Sequence, residues 1–295
     1  MFKPYLIDGT YELFRSYFGA PSAIGRDGGE VGAVRGILRS LLALLRAESV
    51  THAGVAFDTV IESFRNELFA GYKTGDGLPI DLVAQFPVAE RAAAALGLVV
   101  WPMIEFEADD AIASAAALAA ADPRVDQVVI ASPDKDFAQC VRGQRVICLD
   151  RQRSRTMDEE GVARRFGVGP ASIPDYLALV GDNADGIPGL PGWGARTTAA
   201  VLARYGHIEE VPADPAAWDT PAPVRGAKTL AAVLANARET ALLYRRLATL
   251  CTDAPLGITS VDQLAWRGAR RDLLEPLCAE LDDTGFLEQV HRWQD

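Results

Sequence analysis

Over its first half the chain alternates short apolar runs, each closed by an acid, with longer stretches of helical periodicity. Tyr5-Leu6-Ile7 closes on Asp8-Gly9, the pattern of a strand running into a turn. Residues 31–48 place Val34, Leu38, Leu41, Leu42 and Leu45 on one side of a helix. Val55-Ala56-Phe57 reads as a second strand and ends in Asp58. The pattern then predicts a helix near Val88–Leu96, a strand at Leu98–Trp101 and an alanine-rich helix over 108–121. Further strands are predicted at Gln127–Ala131 and near Arg145–Leu149. Strands alternating with helices predict an α/β fold, a mostly parallel twisted sheet flanked by helices.

After about residue 160 the texture changes to helices punctuated by Gly/Pro turns, with no convincing strand. An α/β core over 1–164, a helical domain over 165–260 and a helical tail over 261–295 are the expected divisions. The proline-rich stretch 213–224 reads as a loop within the second.

The acids that close the strands suggest chemistry. Ligand sites in open parallel sheets form beyond the carboxyl ends of strands, so Asp8, Asp58, Asp134 and Asp136 are expected to converge despite their separation in sequence. Glu107, Asp109 and Asp110 join them at the start of the alanine-rich helix, and Asp182 and Asp185 come from the loop Gly181–Gly186. Each acid alone has a simpler explanation as a helix cap, a dipole partner or a turn former. As a set, converging carboxylates repel one another unless a cation neutralises them. Hard oxygen donors point to magnesium or manganese rather than zinc, and His52, His207 and His291 lie in no motif. A pair of such ions suits phosphodiester hydrolysis. The run Leu6-Ile7-Asp8-Gly9-Thr10 resembles the DxDGT signature of haloacid-dehalogenase phosphatases, but Leu6 replaces the nucleophilic aspartate and excludes that mechanism.

Charge changes this picture only in part. Forty acids against 29 bases leave a net charge of −11, unlike the basic footprint of most nucleic-acid binders. With the nine candidate metal ligands set aside, 31 acids face 29 bases, which permits a local basic track. Only Lys3, Lys73, Lys135 and Lys228 are lysine, so 25 basic residues are arginine. A GC-rich genome explains that bias, yet lysine persists at Lys73 and Lys135 inside candidate motifs. Apolar content of 49% and charged content of 23% fit a soluble protein, and no apolar run reaches the ~20 residues needed to cross a bilayer. Met1-Phe2-Lys3-Pro4 runs straight into the first strand, so no leader is expected. Cys140, Cys148, Cys251 and Cys278 are scattered, as reduced thiols of a cytoplasmic protein are.

Six segments in order resemble the 5′-nuclease domain of bacterial DNA polymerase I and its flap-endonuclease relatives: residues 6–15, 55–58, 63–73, 106–110, 132–139 and 181–199. The resemblance covers about residues 1–260, and the chain length matches the nuclease alone, so no attached polymerase is expected. It implies a PIN-like nuclease core with a helical arch at about 64–95 and a helix-hairpin-helix-like second domain. It implies that Asp8, Asp58, Glu107, Asp109, Asp110 and Asp134 surround one metal ion, with Asp134 bridging toward a second held by Asp136, Asp182 and Asp185. Lys73 and Arg15 fall on positions contacting the scissile phosphate, Arg65 on another basic position nearby, and Phe14 on an aromatic that stacks on a base. Gly189, Gly192, Gly194 and Arg196 fall in the hairpin that contacts duplex phosphates, where the family also binds potassium. The implied activity is 5′-3′ exonuclease and flap endonuclease, with catalytic Lys73, Arg15 and Asp134. The implied substrates are flapped, branched or nicked DNA and RNA–DNA hybrids, met by a monomer in repair and replication.

Two positions depart from the family pattern. Asp76 replaces an arch arginine, and 74–90 contains no basic residue before Arg91; Pro191 replaces a hairpin lysine. These departures motivate a rival reading, a catalytically weak DNA-junction binder retaining the fold. A PIN-class ribonuclease acting on single strands is disfavoured by the hairpin.

Overall fold

The apolar runs pair as parallel strands and the periodic stretches pack around them. The computed structural model describes residues 1–47 and 50–294; residues 48 and 295, the ends of the expected 31–48 helix and of the tail, lie outside the described residues. In chain order come β1 (Tyr5–Asp8), α1 (Gly9–Gly19), α2 (Gly32–Ala47), β2 (Ala53–Asp58), α3 (Phe64–Leu68), α4 (Ile80–Val83) and α5 (Phe86–Ala95). There follow β3 (Val99–Met103), α6 (Ala108–Ala121), β4 (Val128–Ala131), β5 (Val146–Asp150) and β6 (Arg155–Met157). The remaining helices are α7 (Glu159–Phe166), α8 (Ile173–Val180), α9 (Ala195–Tyr205), α10 (Ala227–Asn236), α11 (Arg238–Ala248) and α12 (Arg271–Glu280). No helix among the described residues is long and apolar enough to cross a membrane.

Packing divides the chain into two units whose segments interleave: 1–61, 75–132 and 252–295 form the first, and 62–74 with 133–251 form the second. The linear boundaries expected at 164 and 260 therefore differ from the way the chain packs. The tail returns to the first unit, where the Arg35 guanidinium donates to the carbonyls of Leu281 and Asp282.

In the first unit the strands run β3-β2-β1-β4, all parallel, with Asp8 opposite Ala56 and Asp58 opposite Met103. All four residues of β1 and all six of β2 are buried. Full burial on both faces is why these strands read as continuous apolar runs rather than alternating ones. The chain does not turn loosely after Asp8 but enters α1 at once. A Cβ at Gly9 would lie 2.6 Å from the Phe57 ring and 2.7 Å from the Ala56 carbonyl, so only glycine lets α1 start against β2. Helices α4 and α5 occupy the later part of the expected arch, from residue 80 to 95. Leu82, Gln85 and Phe86 are buried, and Gln85 Oε1 accepts the Val34 N–H of α2 at 3.2 Å.

In the second unit β5 and β6 form an antiparallel pair, with Cys148 opposite Met157. The three-residue β6 was not expected from the sequence, being too short and too exposed to show a period. Helices α8 and α11 pack together, with Ile173, Leu177, Ala241 and Leu247 buried. Asp158 caps the start of α7, and Gly167, at φ +74°, ends it in the left-handed conformation.

Candidate metal centre

Each unit carries its own group of carboxylates. In the first, β1 and β2 are parallel neighbours, so Asp8 and Asp58 lie at the same, carboxyl, end of the sheet. Asp8 Oδ1 accepts the Tyr11 N–H as the cap of α1, and Oδ2 accepts the Ser132 hydroxyl, both at 2.8 Å. Asp58 Oδ1 accepts the Ala108 N–H at 2.8 Å, tying the end of β2 to the start of α6. The Asp58 N–H in turn donates to Thr10 Oγ1 at 2.8 Å. At the start of α6, Glu107 and Asp110 form a reciprocal capping box, with the Glu107 N–H donating to Asp110 Oδ2 at 3.0 Å. Asp8, Asp58, Glu107 and Asp110 are buried and Asp109 is half-buried. Helix N-termini make that burial tolerable by supplying N–H donors and favourable dipoles.

In the second unit the acids approach more closely. Asp134 Oδ1 accepts the Asp136 N–H at 2.9 Å, opening the short 3-10 helix Asp136–Cys140. Asp182 pairs with Ile187 across a tight antiparallel turn, and its Oδ1 accepts the Ala184 N–H at 3.1 Å. Gly186, at φ +73°, lies so near Gly71 that a Cβ would come 2.2 Å from its carbonyl oxygen. That approach lets the Lys73 N–H reach the Asp185 carbonyl at 3.0 Å and Lys73 Nζ stand 3.3 Å from Asp185 Oδ1. Asp136, Asp182 and Asp185 each offer a carboxylate oxygen, all within 4.8 Å of one another.

The electrostatics match a cation site. Asp136 Oδ1 is buried and accepts no hydrogen bond. Burial, and then the neighbouring Asp134, Asp185 and Asp182, push the Asp136 carboxyl well above its ordinary pKa, against the pull of Lys135. Asp182 Oδ2 accepts no hydrogen bond of regular geometry but forms an ion pair with Lys135, whose Nζ is also 3.6 Å from Asp136 Oδ1. Burial disfavours the Lys135 charge, yet these carboxylates outweigh it and raise its pKa. A buried oxygen without a hydrogen bond, within an all-carboxylate triad, fits a hard divalent ion.

The other expected residues fall in several environments. Arg15 donates to Glu12 Oε2 at 2.5 Å and Ser40 Oγ at 2.8 Å, keeping part of its side chain in solvent. Phe14 is half-buried, edge-on to Phe86 with ring centroids 6.0 Å apart. Gly192, Gly194 and Arg196 are exposed where the hairpin enters α9, and Asp134 is exposed outside the triad.

Two expectations need correction. Arg65 is 1% exposed, donating to the carbonyls of Leu247 at 2.8 Å and Thr249 at 3.0 Å and stacking on Phe64. It ties down the end of α11 and does not present its charge to a phosphate. Gly189 is buried, and a Cβ there would lie 2.6 Å from Gly181 N, so it closes the hairpin rather than facing a duplex. Conversely, Lys135, Thr10 and Ser132 contact the acids without having been singled out as site residues. For Lys135 the signal was present, a lysine kept inside Ser132–Asp136 of an arginine-rich chain.

Buried carboxylates around a parallel sheet and a helical hairpin define the class, a carboxylate-centred α/β protein. Residues 3–167 match the family model for the 5′-3′ exonuclease N-terminal resolvase-like domain, and residues 168–272 match that for the 5′-3′ exonuclease C-terminal SAM fold. The chain belongs to the 5′-3′ exonuclease family. It is 38% identical to DNA polymerase I of Pseudomonas aeruginosa, over 97% of this chain and 31% of that protein. It is 30% identical to the 5′-3′ exonuclease of Buchnera aphidicola, over 88% of this chain and 90% of that one. The chain thus spans about a third of the length of its DNA polymerase I relatives, at 31% and 32% of two of them. Among solved structures, T5 5′-exonuclease with bound divalent zinc shares the fold at a TM-score of 0.68 and 18% identity, covering 96% of this chain and 99% of that one. The catalytic core of Rad2 in complex with DNA substrate gives 0.58 at 14% identity, covering 98% and 93%.

Proposed function

We propose that this protein is a divalent-metal-dependent 5′-3′ exonuclease and flap endonuclease, hydrolysing phosphodiester bonds of flapped, branched or nicked duplex DNA and of RNA–DNA hybrids. The observation that carries the proposal is the carboxylate triad of buried Asp136 and Asp182 with half-buried Asp185, its Asp136 Oδ1 without a hydrogen bond, beside the Lys73 ammonium. In this reading Asp136, Asp182 and Asp185 hold one divalent ion. Asp8, Asp58, Glu107, Asp109 and Asp110 hold another, and Asp134 contributes a further carboxylate. Magnesium suits such donors, and manganese substitutes for it. When bound, the ions supply water activation and charge stabilisation at the leaving oxygen.

The remaining roles belong to the chain itself. Lys73 brings positive charge to the scissile phosphate, aided by Arg15, and Phe14 stacks on a neighbouring base. The exposed Gly192, Gly194 and Arg196 at the start of α9 hold duplex phosphates through backbone N–H groups and one guanidinium, which positions DNA without reading its sequence. A potassium ion at this hairpin belongs to the same reading, as do action as a cytoplasmic monomer and a role in repair and replication.

The test is a time course on a double-flap DNA labelled at its 5′ end, with magnesium and with EDTA. Cleavage near the junction only with magnesium is the expected result. Binding without product, in manganese as well, would replace this reading with that of a junction-binding protein, which Asp76 and the uncharged-to-acidic stretch 74–90 would then explain.

A further inference from the structure

We propose that Lys135 is a built-in counter-cation of the acid triad: its ammonium holds the place of a divalent ion in the metal-free protein and must swing out for the ion to bind. Lys135 thereby sets the metal concentration at which the centre fills. The inference rests on reading the triad as a metal centre.

Three carboxylates with oxygens within 4.8 Å of one another stay ionised together only where positive charge offsets their repulsion. Lys135 supplies it, ion-paired with Asp182 and with Nζ 3.6 Å from Asp136 Oδ1. The oxygen that Lys135 engages, Asp182 Oδ2, and Asp136 Oδ1 are the two buried carboxylate oxygens of the triad without a hydrogen bond, and both lie against the same ammonium. Ammonium and divalent ion therefore compete for one ligand, and their like charges cannot share so small a space. The Lys135 side chain is 31% exposed, so its four-carbon stem has a route to water when displaced.

Residue choice supports a withdrawing cation rather than a fixed strut. Of 29 basic residues only four are lysine, yet both lysines of the second unit's motifs, Lys73 and Lys135, have Nζ against triad acids. An ammonium is a compact charge on a flexible stem, whereas a guanidinium braces carboxylates in a rigid fork. A strut would be served by the arginine that the chain's composition otherwise prefers.

The experiment is titration of Mn2+ into EDTA-stripped full-length protein by calorimetry, with melting curves run in parallel. Wild type is compared with Lys135→Met and Lys135→Arg, and Asp182→Asn identifies the binding that belongs to the triad. Lys135→Met is expected to bind Mn2+ at the triad about tenfold more tightly than wild type, because the competing charge is gone, while melting lower without metal. Lys135→Arg is expected to bind more weakly than wild type, which keeps the proposal testable if the methionine variant fails to fold. Equal or weaker affinity in Lys135→Met, or equal or tighter affinity in Lys135→Arg, overturns the proposal while leaving the metal centre intact. Absence of Mn2+ binding in wild type and variants alike overturns the metal-centre reading and this inference with it.

Discussion

Replacing Asp136 by asparagine isolates the electrostatic strain of the triad from its use. Asp136 is buried, its Oδ1 has no hydrogen-bond partner, and carboxylate oxygens of Asp182 and Asp185 lie within 4.8 Å. Two unit charges at that separation repel by roughly 3–4 kcal/mol at an effective dielectric constant of ~20. Lys135, 3.6 Å from Asp136 Oδ1, offsets much of this, which leaves a net gain of about 1–2 kcal/mol when the charge is removed. In EDTA at pH 8 the melting temperature of Asp136→Asn should therefore rise by about 2–6 °C. Magnesium should stabilise wild type, because it binds the folded state alone, and an ion at 100 times its Kd contributes about 2.7 kcal/mol. In the variant that response should be largely lost, together with flap cleavage. Melting curves with and without magnesium decide the matter. A variant less stable than wild type in EDTA, with an undiminished magnesium response, would refute the reasoning that charge accumulates at Asp136 for the sake of a metal.

The raised Asp136 pKa has a pH signature of definite sign. A carboxyl that holds its proton more tightly when folded adds stability below the ordinary carboxylate pKa, and that stability is lost as pH rises through the elevated folded value. Metal requires the deprotonated form, so the gap between melting temperatures with and without magnesium should widen over the same rise, and a constant gap from pH 5 to 9 would contradict this. Arg65→Ala strands the carbonyls of Leu247 and Thr249 and should cost about 2–4 kcal/mol of stability. Filter binding of the folded variant should show flap-DNA affinity equal to wild type; a selective loss of affinity would restore Arg65 as a phosphate contact.

Local pattern carried the strands and the acids that close them. An apolar run followed by an acid marks a buried parallel strand and its exit whatever the rest of the chain does, so Asp8 and Asp58 were legible at once. The starts and ends of the predicted strands agree with the observed ones to within a residue or two, as for Leu98–Trp101 against Val99–Met103. Periodicity likewise identified α2 and α6, whose inward faces repeat along one stretch of chain. The nine acids stand out as candidates because carboxylates at strand ends and turns would demand a common explanation if they converged. Asp136, Asp182 and Asp185 are the three whose oxygens lie within 4.8 Å of one another among the described residues.

What tertiary structure alone decided concerns partners distant in sequence. The approach of Gly186 to Gly71, which sets Lys73 beside Asp185, joins segments more than a hundred residues apart and leaves no periodic trace in either. The resemblance puts Arg65 near the scissile phosphate, but its partners are backbone carbonyls near residue 248, and carbonyls are invisible in a sequence. Gly189 shared a motif with Gly192 and Gly194, yet it was packing against Gly181 that buried the first while the other two stayed exposed. The charge state of Asp136 and the pairing of Lys135 follow from burial and neighbours, both fixed only when the chain closes. Sequence by itself determined which residue types were available at each strand end and turn; folding determined which of them met, because meeting depends on contacts that no local period encodes.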